Sequence, residues 1–300
     1  MAVSKSQANI KRFFLTDRCN LILLNLDFQL YLGSMDNMKT SLGLKRLSNS
    51  SIGNHPIVCL PHAGGGANFI RSLLPYMTTN ADVWSFEYPG HLGRLAEPPA
   101  PSLEALANEI CAAVLNQRLN RPVVFGHSMG GKVAFEAALL LEAMGKEVHT
   151  LIVSGCEPPE SRPRRQLSTA SRAELINEIA SMGGVPQLVL ESNDFLKLFL
   201  DVIRNDYRLL ENYRRTPLVR LKCPILVLSG EADSTARSTE MAAWVRSTAA
   251  NTRFITFPGG HFFPMEHPSM VAAELLASCQ NPRAKNGVDS TSFSPHSFSA

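Results

Sequence analysis

Gly126-His127-Ser128-Met129-Gly130-Gly131 lies between a short apolar run at 122–125 and an alanine-rich helical stretch at 132–144. This is G-x-S-x-G in a strand–turn–helix setting, where the pattern has a mechanical meaning. A turn that tight leaves no room for side chains on either side of its apex, and Gly126 and Gly130 supply that room. Ser128 is left at the apex with its hydroxyl exposed. The helix that begins there points its first N–H groups and its positive dipole end toward any oxyanion formed beside the serine.

Working outward from the turn, apolar runs alternate with helical patterns from about residue 56 onward. That alternation predicts an α/β protein with a mostly parallel sheet flanked by helices. Strands are expected at 57–60, 83–86, 122–125, 150–154, 224–229 and 253–257. Unbroken apolar runs such as ILVL at 225–228 suit a sheet buried on both faces. A helix is expected at 69–77. Another starts at Ser102 as N-cap, with Glu104 in its first turn and an apolar stripe from Leu103 to Leu115. A closing helix is expected at 269–278. The alternation fails after Gly155: three prolines are followed by helical patterns at 172–181 and 194–213. An insertion at this point in a hydrolase sheet lies over the C-terminal ends of the strands, so the segment between Gly155 and Leu221 is expected to form a lid subdomain.

Composition narrows the functional classes. The chain has 300 residues, 45% hydrophobic and 18% charged, as in an ordinary globular protein with ample core. A net charge of +3, with no basic run, argues against nucleic acid and against an anionic membrane surface. The six cysteines stand singly, without metal-ligand spacing, so no metal is expected and the thiols are read as reduced, in the cytoplasm. The apolar run at 21–24 is far short of the roughly 20 residues of a membrane span. Residues 1–50 read as a poorly ordered extension, part of which could precede a true start at Met35 or Met38, and 281–300 as a disordered tail. The folded domain is expected over 55–280.

A serine hydroxyl needs a base, and the base needs an orienting carboxylate. In α/β-hydrolases these follow in the order Ser, acid, His, each on a loop after a strand. Asp233 fits the acid, with Glu231 its competitor in the same loop. His261 fits the base, in Pro258-Gly259-Gly260-His261. The oxyanion donors are expected to be the amides of Met129, the residue after the nucleophile, and of Ala63, in the glycine-rich loop after the first strand. That loop lacks the G-K-[ST] of a phosphate loop. His62 and His91 lie on loops near the expected mouth and are candidates for binding substrate.

Six segments then stand out together: PHAGGGANF (61–69), YPGHLGRLAEPP (88–99), GHSMGGKVAFE (126–136), IRNDYRLLENY (203–213), LSGEAD (228–233) and FPGGHFF (257–263). In this order they resemble type II thioesterases, the stand-alone editing hydrolases of nonribosomal peptide and polyketide synthases. The resemblance covers about residues 55–278. It departs from the usual pattern at His91, in a segment that more often reads PGR, at Lys132, a site more often small or apolar, and after Gly155.

The resemblance implies an α/β-hydrolase fold with a mobile helical lid at about 157–218 and a Ser128–Asp233–His261 triad. It implies oxyanion donors at Ala63 and Met129 and hydrolysis of acyl thioesters carried on phosphopantetheine arms, with no cofactor of the enzyme's own. The implied partners are acyl or peptidyl carrier domains, which are usually acidic, so Arg162, Arg164, Arg165, Arg204 and Arg208 are candidate docking residues. The enzyme is expected to act as a monomer. A carboxylesterase or acyltransferase on the same scaffold is the alternative, because a triad does not encode ester against thioester.

Overall fold

The computed structural model describes residues 43–48, 55–77, 81–183, 193–215 and 219–280. Its centre is a seven-stranded sheet in the order β1-β3-β2-β4-β5-β6-β7. The strands are β1 (Leu44–Arg46), β2 (Ile57–Leu60), β3 (Val83–Phe86), β4 (Val123–His127), β5 (Thr150–Ser154), β6 (Ile225–Gly230) and β7 (Thr252–Phe257). β1 runs antiparallel to β3, and every other pair is parallel. Burial on both faces explains the uninterrupted apolar runs: every residue of β2, β3, β4, β5 and β6 is buried.

Two apolar layers sandwich the sheet. One holds Val124, Leu151 and Val227 against helices α1 (Leu103–Asn116) and α2 (Met129–Ala143). The other holds Phe125, Ile152 and Leu226 against the closing helix α5 (Pro268–Gln280). Alternate residues of one strand thus serve opposite layers, as the strand period of two requires. Ser102 caps α1 by accepting from the Ala105 N–H at 3.1 Å.

Two expectations change. Leu44–Arg46, inside the segment read as an extension, is a strand of the sheet, with Leu44 in the core. The domain therefore begins before residue 55. Three residues with one buried side chain carry too little alternation to be seen in sequence. The helix expected at 69–77 is two 3₁₀ segments, Ala67–Ser72 and Leu74–Tyr76, with Pro75 opening the second. The rest of the expected extension, 1–42, and the C-terminal tail at 281–300 lie outside the described residues.

Between β5 and β6 come α3 (Arg172–Met182) and α4 (Asn193–Asn212). A capping box at Ser171 and Glu174 starts α3. Leu175 and Ile179 of α3 pack on Leu196, Leu200 and Ile203 of α4 in a small core of their own. Further along α4, Leu209, together with Tyr213 just beyond its end, joins the main core. One end of the insertion is thus rooted in the domain, while the other packs on itself and on Ala63.

Candidate active site

Ser128 sits between β4 and α2 at φ 54°, ψ −121°, a backbone region that a residue with a Cβ adopts only at a cost of about 1–3 kcal/mol. The surrounding packing enforces it. A Cβ on Gly126 would fall 2.0 Å from the Gly130 carbonyl oxygen, and one on Gly130 would fall 2.2 Å from that of Leu60. The Ser128 N–H donates to the Ser154 carbonyl at 2.8 Å, which ties the turn to the end of β5.

Asp233 and His261 arrive on the loops after β6 and β7. Both are buried, at 4% and 5% exposure, and Asp233 Oδ2 lies 2.9 Å from His261 Nδ1. The other carboxylate oxygen, Oδ1, accepts from the N–H groups of Thr235 at 2.8 Å and Ala236 at 3.0 Å. The carboxylate is therefore fixed by its own turn before it orients the imidazole. Glu231 is exposed. The imidazole and the carboxylate both flank Gly155, where a Cβ would meet His261 Cε1 at 3.3 Å and Asp233 Oδ2 at 3.4 Å. Ser128 is tied through its backbone N–H to the residue just before, so the serine turn, the imidazole and the carboxylate all adjoin the Ser154-Gly155 turn.

Ala63, Ser128, Met129 and Gly155 line a cavity of about 300 Å³. Met129 opens α2, so its N–H is among the first, unpaired donors of the helix. Leu167, Met182, Tyr207 and Leu210 of the insertion line the same cavity. The space is mostly apolar, with Ser128 at its edge.

His62 and His91, expected to bind substrate, are not among the residues lining this cavity. The His62 ring turns inward onto Phe262, with centroids 4.9 Å apart. Burial, then the charges of His261 and His91, push its pKa down to about 3. His91 is buried and bound at both nitrogens, Nδ1 by the Pro89 carbonyl at 3.2 Å and Nε2 by Asp206 at 2.8 Å. His127 of the elbow is buried, with Nδ1 at 3.1 Å from the Ser154 carbonyl, and burial with two histidine neighbours holds its pKa well below the usual value.

Lys132 lines the cavity one helical turn after Ser128, at 6% exposure. Its Nζ donates to the carbonyls of Ser161 at 2.9 Å and Pro158 at 3.3 Å and stands 5.5 Å from the Tyr213 ring centroid. Burial lowers its pKa. The candidate docking arginines are largely engaged: Arg164 by Glu157 and Glu240, Arg165 by Glu178, and Arg204 by the carbonyls of Ser168 and Ala170.

Asp206 escaped the sequence reading. The available signal was its place three residues from both Ile203 and Leu209, an acid on the apolar face of a helix.

The thioesterase domain family matches residues 55–279 of the chain. A probable cadicidin biosynthesis thioesterase of Streptomyces griseus is 35% identical over 76% of this chain and 63% of its own length, just under two thirds. Thioesterase PikA5 of Streptomyces venezuelae is 33% identical over 76% of this chain and 82% of its own. Among solved structures, the type II thioesterase BorB from the borrelidin biosynthetic cluster superposes with a TM-score of 0.73 at 32% identity, over 81% of this chain and all of its own. The mixed sheet with flanking helices is the architecture of these neighbours, an α/β-hydrolase fold.

Proposed function

The chain belongs to the thioesterase family and is a thioester hydrolase, and from that premise we propose that it cleaves acyl groups from the phosphopantetheine arms of carrier domains in nonribosomal peptide or polyketide synthesis. The reading is carried by one observation: a buried Asp233–His261 hydrogen bond near a strained serine turn that borders a mostly apolar cavity.

In this mechanism His261 takes the proton of Ser128 as its oxygen attacks the thioester carbonyl. Asp233 holds the ring in the tautomer with Nδ1 protonated and stabilises the imidazolium that forms. The amides of Ala63 and Met129 hold the oxyanion, each such donor being worth roughly 3 kcal/mol. When the intermediate collapses, the C–S bond breaks. The departing thiol, with a pKa of about 8.5, leaves readily and takes the proton from His261. Water then attacks the acyl-serine, giving its proton to His261, which returns it to Ser128 as the acid departs.

The insertion at 157–218 serves as the lid over the acyl chain. The carrier approaches where Arg164 and Arg165 border the cavity, and the enzyme works in the cytoplasm, where the synthases are. Among the described residues no helix is long and apolar enough to cross a membrane.

The test is hydrolysis of an acyl-pantetheine and its matched oxygen ester by wild type and Ser128→Ala. Loss of turnover in the variant, with the thioester preferred by wild type, is expected. A Ser128→Ala protein that still turns over removes the nucleophile, and equal or faster ester cleavage turns the reading toward a carboxylesterase. Charge reversal at Arg165, 69% exposed at its side chain, lowers turnover of carrier-bound acyl groups at low salt and spares free acyl-pantetheine.

A further inference from the structure

Asp206 lies outside both the cavity lining and the triad, yet it is 1% exposed on α4 and holds two groups at once. Its Oδ2 accepts from the backbone N–H of Gly64 at 2.7 Å and meets His91 Nε2 at 2.8 Å. Gly64 follows Ala63 directly. Its φ of +72° turns the loop beneath α4, where a Cβ would lie 3.2 Å from both Ile203 and Phe199. On the other side of Ala63 the Tyr88 hydroxyl donates to the Pro61 carbonyl at 3.0 Å. The residue that aims an amide at the oxyanion is thus strung between two anchors. One comes from the loop after β3, the other from the insertion.

The two nitrogens of His91 face a carbonyl, which only accepts, and a carboxylate oxygen that already takes an N–H. Both are satisfied best by a doubly protonated ring, so the buried carboxylate has a cation beside it. Glu87, Tyr88 and His62 are the other titratable groups facing His91.

We propose that Asp206 is a positioning residue for thioester hydrolysis: clamped by His91, it fixes the oxyanion loop through Gly64, so the Ala63 donor is aimed only while α4 is seated on the domain. The inference rests on the assignment of Ala63 in the proposed function. It makes seating of the insertion and competence of the oxyanion hole one event, since the same hydrogen bond serves both.

The test compares full-length Asp206→Ala and Asp206→Asn with wild type on an acyl-pantetheine, together with hydrogen exchange of the 61–66 loop. Losing an oxyanion donor outright costs roughly 100- to 1000-fold in kcat. A misaimed donor in Asp206→Ala is expected to cost about 30- to 100-fold, with KM within about threefold and loop exchange at least about tenfold faster. In Asp206→Asn the amide oxygen still accepts from Gly64, and kcat stays within about fivefold. Equal losses in the two variants, or a fall in kcat with the loop as protected as in wild type, overturns the proposal. So does an Asp206→Ala protein that loses only melting temperature.

If Asp206→Ala does not fold, His91→Leu with Asp206→Leu, which removes both partners, takes its place with the same expected losses. Exchange does not depend on the nucleophile. An active Ser128→Ala would sink the functional reading and leave the loop anchor to be judged by exchange. An inert Ser128→Ala beside a fully active Asp206→Ala sinks the anchor alone.

Discussion

Asp233 and His261, 28 residues apart in sequence, meet at 2.9 Å between Oδ2 and Nδ1, and the second oxygen of the same carboxylate is spent on its own turn. The turn makes the acid rigid without the histidine, so the ring is aimed by a group that is already in place. That separation of duties lets the two be tested apart.

Asp233→Asn keeps an oxygen for Thr235 and Ala236 but can present an N–H to His261, favouring the wrong tautomer. Turnover of an acyl-pantetheine should fall by roughly 1000- to 10,000-fold while the melting temperature changes little. A fall in both together would mean that the carboxylate is structural.

Gly130→Ala places a methyl 2.2 Å from the Leu60 carbonyl oxygen, in backbone that cannot step aside. A loss of about 3 kcal/mol or more in denaturant unfolding is expected, with activity lost even in the fraction that folds. A variant as stable as wild type would show that the elbow is looser than its packing implies.

Stability should decline at both ends of the neutral range. His62 and His127 have pKa values lowered by burial from the usual 6.5, so below about pH 6.5 the unfolded chain takes up protons that the folded chain refuses. Each can cost up to about 1.4 kcal/mol per pH unit. Burial pulls His91 down as well, but the hydrogen bond and charge of Asp206, with Pro89 and Glu87, outweigh it and raise its pKa. Its contribution is complete below 6.5 and is lost as pH climbs through the raised value. Melting temperature against pH should therefore rise from acid toward neutrality and fall again on the alkaline side. His127→Gln should flatten the first limb and His91→Gln the second. A curve level down to pH 5 contradicts the burial of neutral rings.

Lys132→Met exchanges a buried ammonium in the cavity wall for a thioether of similar reach. For purely apolar acyl chains, kcat/KM should rise about tenfold relative to chains ending in a polar group. An unchanged ranking across acyl-pantetheines would place the chain end elsewhere.

Much of this site was legible from the chain because its parts are local. A nucleophile elbow needs glycines within two residues of the serine. An acid and a base on loops that follow strands are announced by the strands themselves. β1 gave no such notice, because an edge strand of three residues buries one side chain and has no period to display. His91 and Asp206 were each visible but not as a pair: 115 residues separate them, and nothing local to either calls for the other.

The linear order of apolar runs, glycines and polar residues was sufficient for six of the seven described strands, the helical layers that cover them and three chemically apt side chains on loops after strands, since burial and backbone sterics act over a few neighbouring positions. Only the tertiary structure decided that His62 and His91 stay out of the cavity lining, that Lys132 joins it, and that a carboxylate on α4 accepts from the Gly64 N–H in the loop after β2. Those outcomes depend on which distant groups share a buried space. There a charge must find its partner in three dimensions, wherever along the chain that partner happens to lie.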